Sequence, residues 1–224
     1  MTATAPQAKI RRATETDAEQ LVQLLTDAFL TGPVADWLVP NEAIRRQVYL
    51  GYFAIWTEHA LHNGLVYTTA DLSGAALWYP PAHTAEPVNY HKRLAEAAGT
   101  WRFRFFMLED TFAKHHPTWP HHYLAFLAVA PQRQSAGIGS ALLRHHHARL
   151  GSQPAYLEAS NERNRDLYLR HGYHTTGPFY LPRGGPPIWP MRYAPTPSST
   201  RSLAPAEAAV SQPESGTYGE GGPA

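Results

Sequence analysis

A short run, Gln134-Ser135-Ala136-Gly137-Ile138-Gly139, separates an apolar stretch from a segment of helical composition. A turn of this kind exposes consecutive main-chain N–H groups at a helix N-terminus, where unpaired donors and the positive end of the helix dipole favour an anion such as phosphate. Glycine at 137 and 139 lets a ligand approach with no Cβ in the way. The same glycines also suit a plain strand-to-helix turn, so the pair alone carries two readings. Two phosphate loops are excluded by residue type. A Walker loop ends Gly-Lys-Ser/Thr, whereas Gly139 is followed by Ser140-Ala141. A dinucleotide fingerprint needs glycine at 142, which is Leu142.

Other reactive side chains are limited. The chain has no cysteine, which removes disulfides, thiolate zinc sites and a cysteine nucleophile, and fits a reducing compartment. Thirteen histidines are present. His145, His146 and His147 point about 100° apart on a helix, so they cannot chelate together and read as an exposed polar stripe. His115, His116, His121 and His122 flank prolines with no carboxylate or cysteine close in sequence, so no metal is expected. Trp37, Tyr52, Phe53, Trp56, Trp78, Tyr79, Trp101, Phe103, Phe105 and Phe106 read mostly as core. Of these, Trp37 and Trp78 are candidates to line an aromatic substrate pocket.

The elements that must position these residues form one α/β arrangement. Lys9 to Ala13 reads as a strand, and Thr16 with Glu19 as a capping box ahead of a helix whose apolar face includes Leu21, Leu24, Leu25 and Ala28. Gly32-Pro33 reads as its stop. Asn41 caps a long helix that ends before Asn63-Gly64. Leu65 to Thr69 and Gly74 to Tyr79 form a hairpin, and Val88 to Lys114 is helical with an interruption near Gly99. His122 to Ala130 is apolar on both faces and suits a central buried strand. A helix starting at Ser140, a strand Ala155 to Glu158, a helix Asn161 to Arg170, and strands Tyr173 to Phe179 and Ile188 to Tyr193 complete the reading.

The 224 residues divide into a flexible N-terminus, 1–8, one domain, 9–193, and a Pro/Ser/Ala/Gly-rich tail, 194–224, that is too polar to offset its ordering entropy. Lys and Arg total 19 against 18 Asp and Glu, a net charge of +1, which removes the electrostatic case for a nucleic-acid binder. Met1 to Lys9 lacks the features of a secretory leader, and no apolar run approaches the roughly 20 residues of a membrane span. The expectation is a cytoplasmic protein, monomer or homodimer, with no membrane or nucleic-acid partner.

The loop Gln134 to Gly139, directly after Leu127-Ala128-Val129-Ala130-Pro131, resembles the pyrophosphate loop of the GNAT N-acetyltransferase superfamily. The downstream block Leu157-Glu158-Ala159-Ser160-Asn161, with Leu167-Tyr168 and Gly172-Tyr173, resembles that superfamily's second hallmark. His116-Pro117-Thr118-Trp119-Pro120-His121-His122 and Gly184 to Met191 are similar to the puromycin N-acetyltransferases and their actinobacterial relatives. There are two departures: Ser135 stands where the superfamily often has glycine, and Gly32 where the puromycin group has an aromatic residue.

The resemblance implies a central mixed, mostly antiparallel sheet flanked by helices, with a splayed strand pair for acetyl-CoA and no metal. It implies a pyrophosphate on the N–H groups of Ser135, Ala136, Gly137, Ile138, Gly139 and Ser140, with Gln134 also among the cofactor-binding residues. The pantetheine arm would pair with the strand at Leu127, Ala128 and Val129 and meet Asn161 and Asn164. A main-chain N–H near Val129 would stabilise the oxyanion. Glu158 would take the proton of an attacking amine, and Tyr168 would protonate the departing thiolate. The acceptor is expected to be a small-molecule amine, an antibiotic or other natural product, attacked directly in a ternary complex. A protein N-terminus or lysine is the alternative acceptor, and a non-catalytic acyl-CoA-binding module the alternative class.

Overall fold

The protein is described here by a computed structural model that covers residues 8–81 and 86–195. Apart from Ala8, Ala194 and Pro195, the expectations for the N-terminal segment and the tail lie outside the described residues. The first half contains β1 (Ile10–Arg12), α1 (Ala18–Phe29), α2 (Pro33–Leu38), α3 (Glu42–Asn63), β2 (Leu65–Thr69), β3 (Gly74–Tyr79), α4 (Tyr90–Ala98) and α5 (Arg102–His115). The second contains β4 (His122–Val129), α6 (Ile138–His147), β5 (Ala155–Ala159), α7 (Glu162–Arg170), β6 (Tyr173–His174), β7 (Phe179–Tyr180) and β8 (Pro187–Tyr193).

The strands join in the order β1-β2-β3-β4-β5-β8-β6, with β7 also on β8. Every pairing is antiparallel except β4 with β5. Alternation along β3 divides the core in two. Ala75, Leu77 and Tyr79 pack under α1 and α3, while Ala76 and Trp78 pack under α6. Helices therefore cover both faces of a mostly antiparallel sheet, as expected.

Local chemistry sets the element ends, not always where the sequence pattern put them. At the start of α1 the box is Thr14 with Asp17, not Thr16 with Glu19: the Thr14 N–H donates to the Asp17 carboxylate at 2.8 Å. Arg11 clamps that carboxylate through two 2.7 Å hydrogen bonds, and this pairing holds Asp17 well below the usual carboxylate range. Pro33 does not terminate α1. It opens α2, where its fixed φ and missing N–H suit a first helical position, and Gly32 supplies the φ of +112° that precedes it. Buried Arg45 joins these short elements, donating to the carbonyls of Val39 at 2.7 Å and Leu30 at 3.1 Å and pairing with Asp36 at 2.9 Å. The Asn41 side chain caps α3 by accepting from the Ala43 N–H. The expected strand Tyr173 to Phe179 is two short pieces, β6 and β7.

Strand β4 carries two irregularities. Leu77 pairs with Phe126 but Trp78 with Leu124, so Ala125 is an extra residue in the ladder, a β-bulge. On its other edge β4 meets β5 only at His122 with Ala155 and Tyr123 with Tyr156. From Leu124 onward the two strands part, leaving one edge of β4 open. No helix among the described residues is long and apolar enough to cross a membrane.

Candidate active site

The open edge of β4 and the turn that follows it form one cleft. The Ala130 N–H donates to Ser73 on the β3 side at 2.9 Å. Because strand residues alternate, Ala128 also faces β3, while Leu127 and Val129 present their N–H and C=O groups to the open edge. The Gln134 amide reaches back towards the Val129 carbonyl at 3.4 Å. The chain then turns through Ser135 at φ +64° and Gly137 at φ +80°, and α6 begins. Left-handed residues in such a turn point neighbouring N–H groups inward, forming an anion nest at a helix N-terminus. Gly137 suits its conformation; Ser135 adopts it at a cost of about 1–2 kcal/mol. Arg163 of α7 braces the turn, donating to Gln134 Oε1 and Ser135 Oγ at 3.0 Å each.

Leu127, Val129, Gln134, Ser135, Gly137, Ile138, Gly139, Ser140, Asn161, Asn164 and Tyr168 line a cavity of about 280 Å³ here. Its charged lining is Arg163 and Arg170, with no carboxylate among the described residues. A Cβ on Gly139 would stand 3.5 Å from Leu167 and 3.8 Å from Val129, inside the cleft, so the bare glycine keeps it open. Two of the expected residues do not line this cavity. The Ala128 side chain is buried in the α1–α3 core, and the exposed Ala136 does not line the cavity.

A second cavity, about 120 Å³, shares Leu127, Asn161, Asn164 and Tyr168 with the first. Its walls come from α1, α2, α3, α5 and the bulged part of β4, including Phe29, Leu38, Tyr52, Phe53 and Phe112. Glu158 is its only charged lining residue among those described, and its side chain is 1% exposed. The Tyr123 hydroxyl donates to Glu158 Oε2 at 2.8 Å, while Oε1 is buried without a hydrogen-bond partner among the described residues. His116 Nδ1 approaches Oε1 to 3.4 Å. Tyr168 is buried where the two cavities join, and that burial raises the phenol well above its ordinary range, so it stays protonated at neutral pH. Asn161 Oδ1 caps α7 by accepting the Asn164 N–H at 2.9 Å.

Several expectations fail for long-range reasons. Trp78 does not line a substrate pocket: it is fully buried on the α6 side of the sheet, stacked on His146 with centroids 3.9 Å apart. Trp37 lies outside the cavity as well, its Nε1–H donating to the Pro182 carbonyl at 3.0 Å and its ring under Arg104. The histidine run is not an exposed stripe, since His146 is buried and His147 stacks on Tyr193 at 4.2 Å. Burial drives the His146 imidazole down to about 3 and His147 to about 4, so both stay neutral. His116 does have a carboxylate neighbour, Glu158, delivered by the β4–β5 pairing. Arg163 carried no motif signal, and no local pattern marks Tyr123.

Comparison with known proteins follows this geometry. Residues 94–175 match the family model for the acetyltransferase (GNAT) domain. The crystal structure of a histone acetyltransferase HPA2 and related acetyltransferase from Corynebacterium glutamicum is similar at 27% identity and TM-score 0.67, over 86% of this chain and 99% of that one. A Drosophila melanogaster polyamine N-acetyltransferase shares the fold at 16% identity and TM-score 0.57, over 83% and 98% of the two chains. Arylalkylamine N-acetyltransferase 2 from Aedes aegypti does so at 12% identity and TM-score 0.55, over 83% and 98%. Over residues 94–175 this chain is therefore similar to the acetyltransferase (GNAT) domain, and its overall fold to that of acetyltransferase enzymes.

Proposed function

We propose that the protein transfers an acetyl group from acetyl-CoA to the amine of a small molecule with an apolar, aromatic-compatible body. Acetyl-CoA supplies the activated acyl thioester. Its diphosphate suits the turn from Gln134 to Ser140 with Arg163 behind it, and its amide-bearing arm suits the N–H and C=O groups that Leu127 and Val129 present to the open edge of β4. A Cβ-free Gly139 and a carboxylate-free lining fit such a ligand.

The observation that carries the acceptor side is the Glu158 carboxylate: buried, aimed into an aromatic cavity, with Oε1 unpartnered among the described residues. An amine N–H entering that cavity gives Oε1 a hydrogen bond, and as the nitrogen attacks, Oε1 takes its proton. Tyr168 stands at the junction with a phenol proton to give the leaving sulfur. The chain has no cysteine, which excludes an acetyl-cysteine intermediate and fits direct attack. An acceptor of antibiotic or other natural-product type rests on the sequence resemblance alone, as does a cytoplasmic setting.

The test is thiol release from acetyl-CoA across a panel of aromatic, aliphatic and peptide amines. Turnover is expected with aromatic-bearing small amines. Glu158→Gln should lower kcat/KM by roughly 10²–10⁴-fold and Tyr168→Phe should lower kcat by roughly 10–100-fold, with acetyl-CoA affinity nearly unchanged in both. Binding of acetyl-CoA with no release for any amine would make the protein a binding module. Turnover of peptides only would move the acceptor to proteins.

A further inference from the structure

A base that is 1% exposed must pass its proton on before the next turnover. One neighbour of Glu158 reaches solvent: the His116 side chain is 33% exposed, with Nδ1 3.4 Å from Glu158 Oε1. On the far side of that ring, His116 Nε2 is 3.0 Å from His121 Nε2, and His121 Nδ1 is 2.7 Å from the Trp119 carbonyl oxygen.

The protons in this chain follow by elimination. A carbonyl only accepts, so His121 Nδ1 carries a hydrogen. Burial lowers the His121 titration, so the ring is neutral and its Nε2 is a lone pair. His116 Nε2 must then donate to it. That leaves His116 Nδ1 as the ring atom that faces Glu158 Oε1.

We propose that His116 is the proton exit of the site, accepting at Nδ1 the proton that Glu158 Oε1 takes from the acceptor amine. The imidazolium so formed releases its Nε2 proton to solvent, and exchange with water restores the starting tautomer. Only N–H and O–H bonds change: one proton leaves the amine and one enters solvent. The groups around the ring leave this route clear. Tyr123 of β4 and Tyr156 of β5 pack edge-on against it at 4.9 and 5.0 Å, and burial keeps both phenols protonated. On α5, His115 turns away, stacked on Phe179 with Nδ1 on the Thr111 carbonyl. His122 faces Gln153 and His146, and Arg192 of β8 sits over Trp119 rather than His116. Glu158 lies on the Nδ1 side and His121 on the Nε2 side, so the three do not converge on one point, and no metal-binding group occurs among the described residues.

The inference rests on Glu158 acting as the base, and the experiment separates the two. With an amine turned over by the parent enzyme, His116→Ala and His116→Gln should each lower kcat at neutral pH at least tenfold. Acetyl-CoA affinity and acceptor KM should stay within about threefold, the acidic limb of the kcat profile should move, and added imidazole should recover activity in His116→Ala. Unchanged kcat and profile, or a loss confined to KM that imidazole does not rescue, would overturn the exit. An active Glu158→Gln would remove the base itself; an inactive Glu158→Gln beside a fully active His116→Ala would remove only the exit.

Discussion

The donor cleft and the acceptor cavity meet at Leu127, Asn164 and Tyr168, yet they are built from different materials. The donor cleft is mainly backbone: the open edge of one strand, a turn with two left-handed residues, and the first N–H groups of α6. The acceptor cavity is mainly side chains, gathered from α1, α2, α3, α5 and β4 and held by ring contacts such as Tyr52 to Phe105 at 4.7 Å and Phe53 to Phe126 at 5.5 Å. Backbone recognition constrains geometry and tolerates side-chain change, whereas a side-chain cavity can be reshaped residue by residue without touching the donor site.

Variants can break that division. The largest effect on stability is expected at Arg45, which ties α1, α2 and α3 around the acceptor cavity. Arg45→Met leaves the Leu30 and Val39 carbonyls without this donor and should cost about 3–5 kcal/mol in denaturant unfolding, with acetyl-CoA affinity kept by the protein that remains folded. Loss of acetyl-CoA binding in the folded fraction would show that the two sites share their support. The next effect is acid sensitivity behind the donor cleft, where His146 of α6 is held neutral at about 3. An unfolded chain takes that proton near 6.5, so its stabilisation is complete above that value and falls as pH drops towards 3. Between pH 7 and 5 the loss from this group should be on the order of 2 kcal/mol. His146→Phe should flatten the slope, and a slope that persists unaltered assigns it to other groups. Smaller effects belong to the turn. Gly137→Ala meets no atom within 4 Å, so only its φ of +80° is at stake, and about 1–2 kcal/mol of strain should weaken acetyl-CoA binding roughly tenfold by calorimetry, with acceptor KM unchanged. Ser135→Gly relieves strain but loses the Arg163 contact, and its effect should stay within about 1 kcal/mol.

The same contrast governs what could be read in the residues. The hairpin bounds Leu65–Thr69 and Gly74–Tyr79, the Asn41 cap and the glycine turn are set by near neighbours, and the structure places them where the patterns did. Trp78 and His146 escaped because a buried face looks the same from either side of a sheet; only the fold decides that Trp78 meets α6 rather than the cavity. His116 looked bland because its carboxylate partner arrives from a different strand. Phe103, placed with the core by its type, is 58% exposed on α5.

The extra residue in β4 has a consequence for how this strand is compared with its relatives. Ala125 and Phe126 both lie on the acceptor face, so the strand keeps one inside-outside phase up to Tyr123–Leu124 and the opposite phase from Leu127. An alignment that slides by one position across Ala125 would exchange the face of every residue on one side of it, turning donor-edge positions into acceptor-wall positions while still matching apolar with apolar.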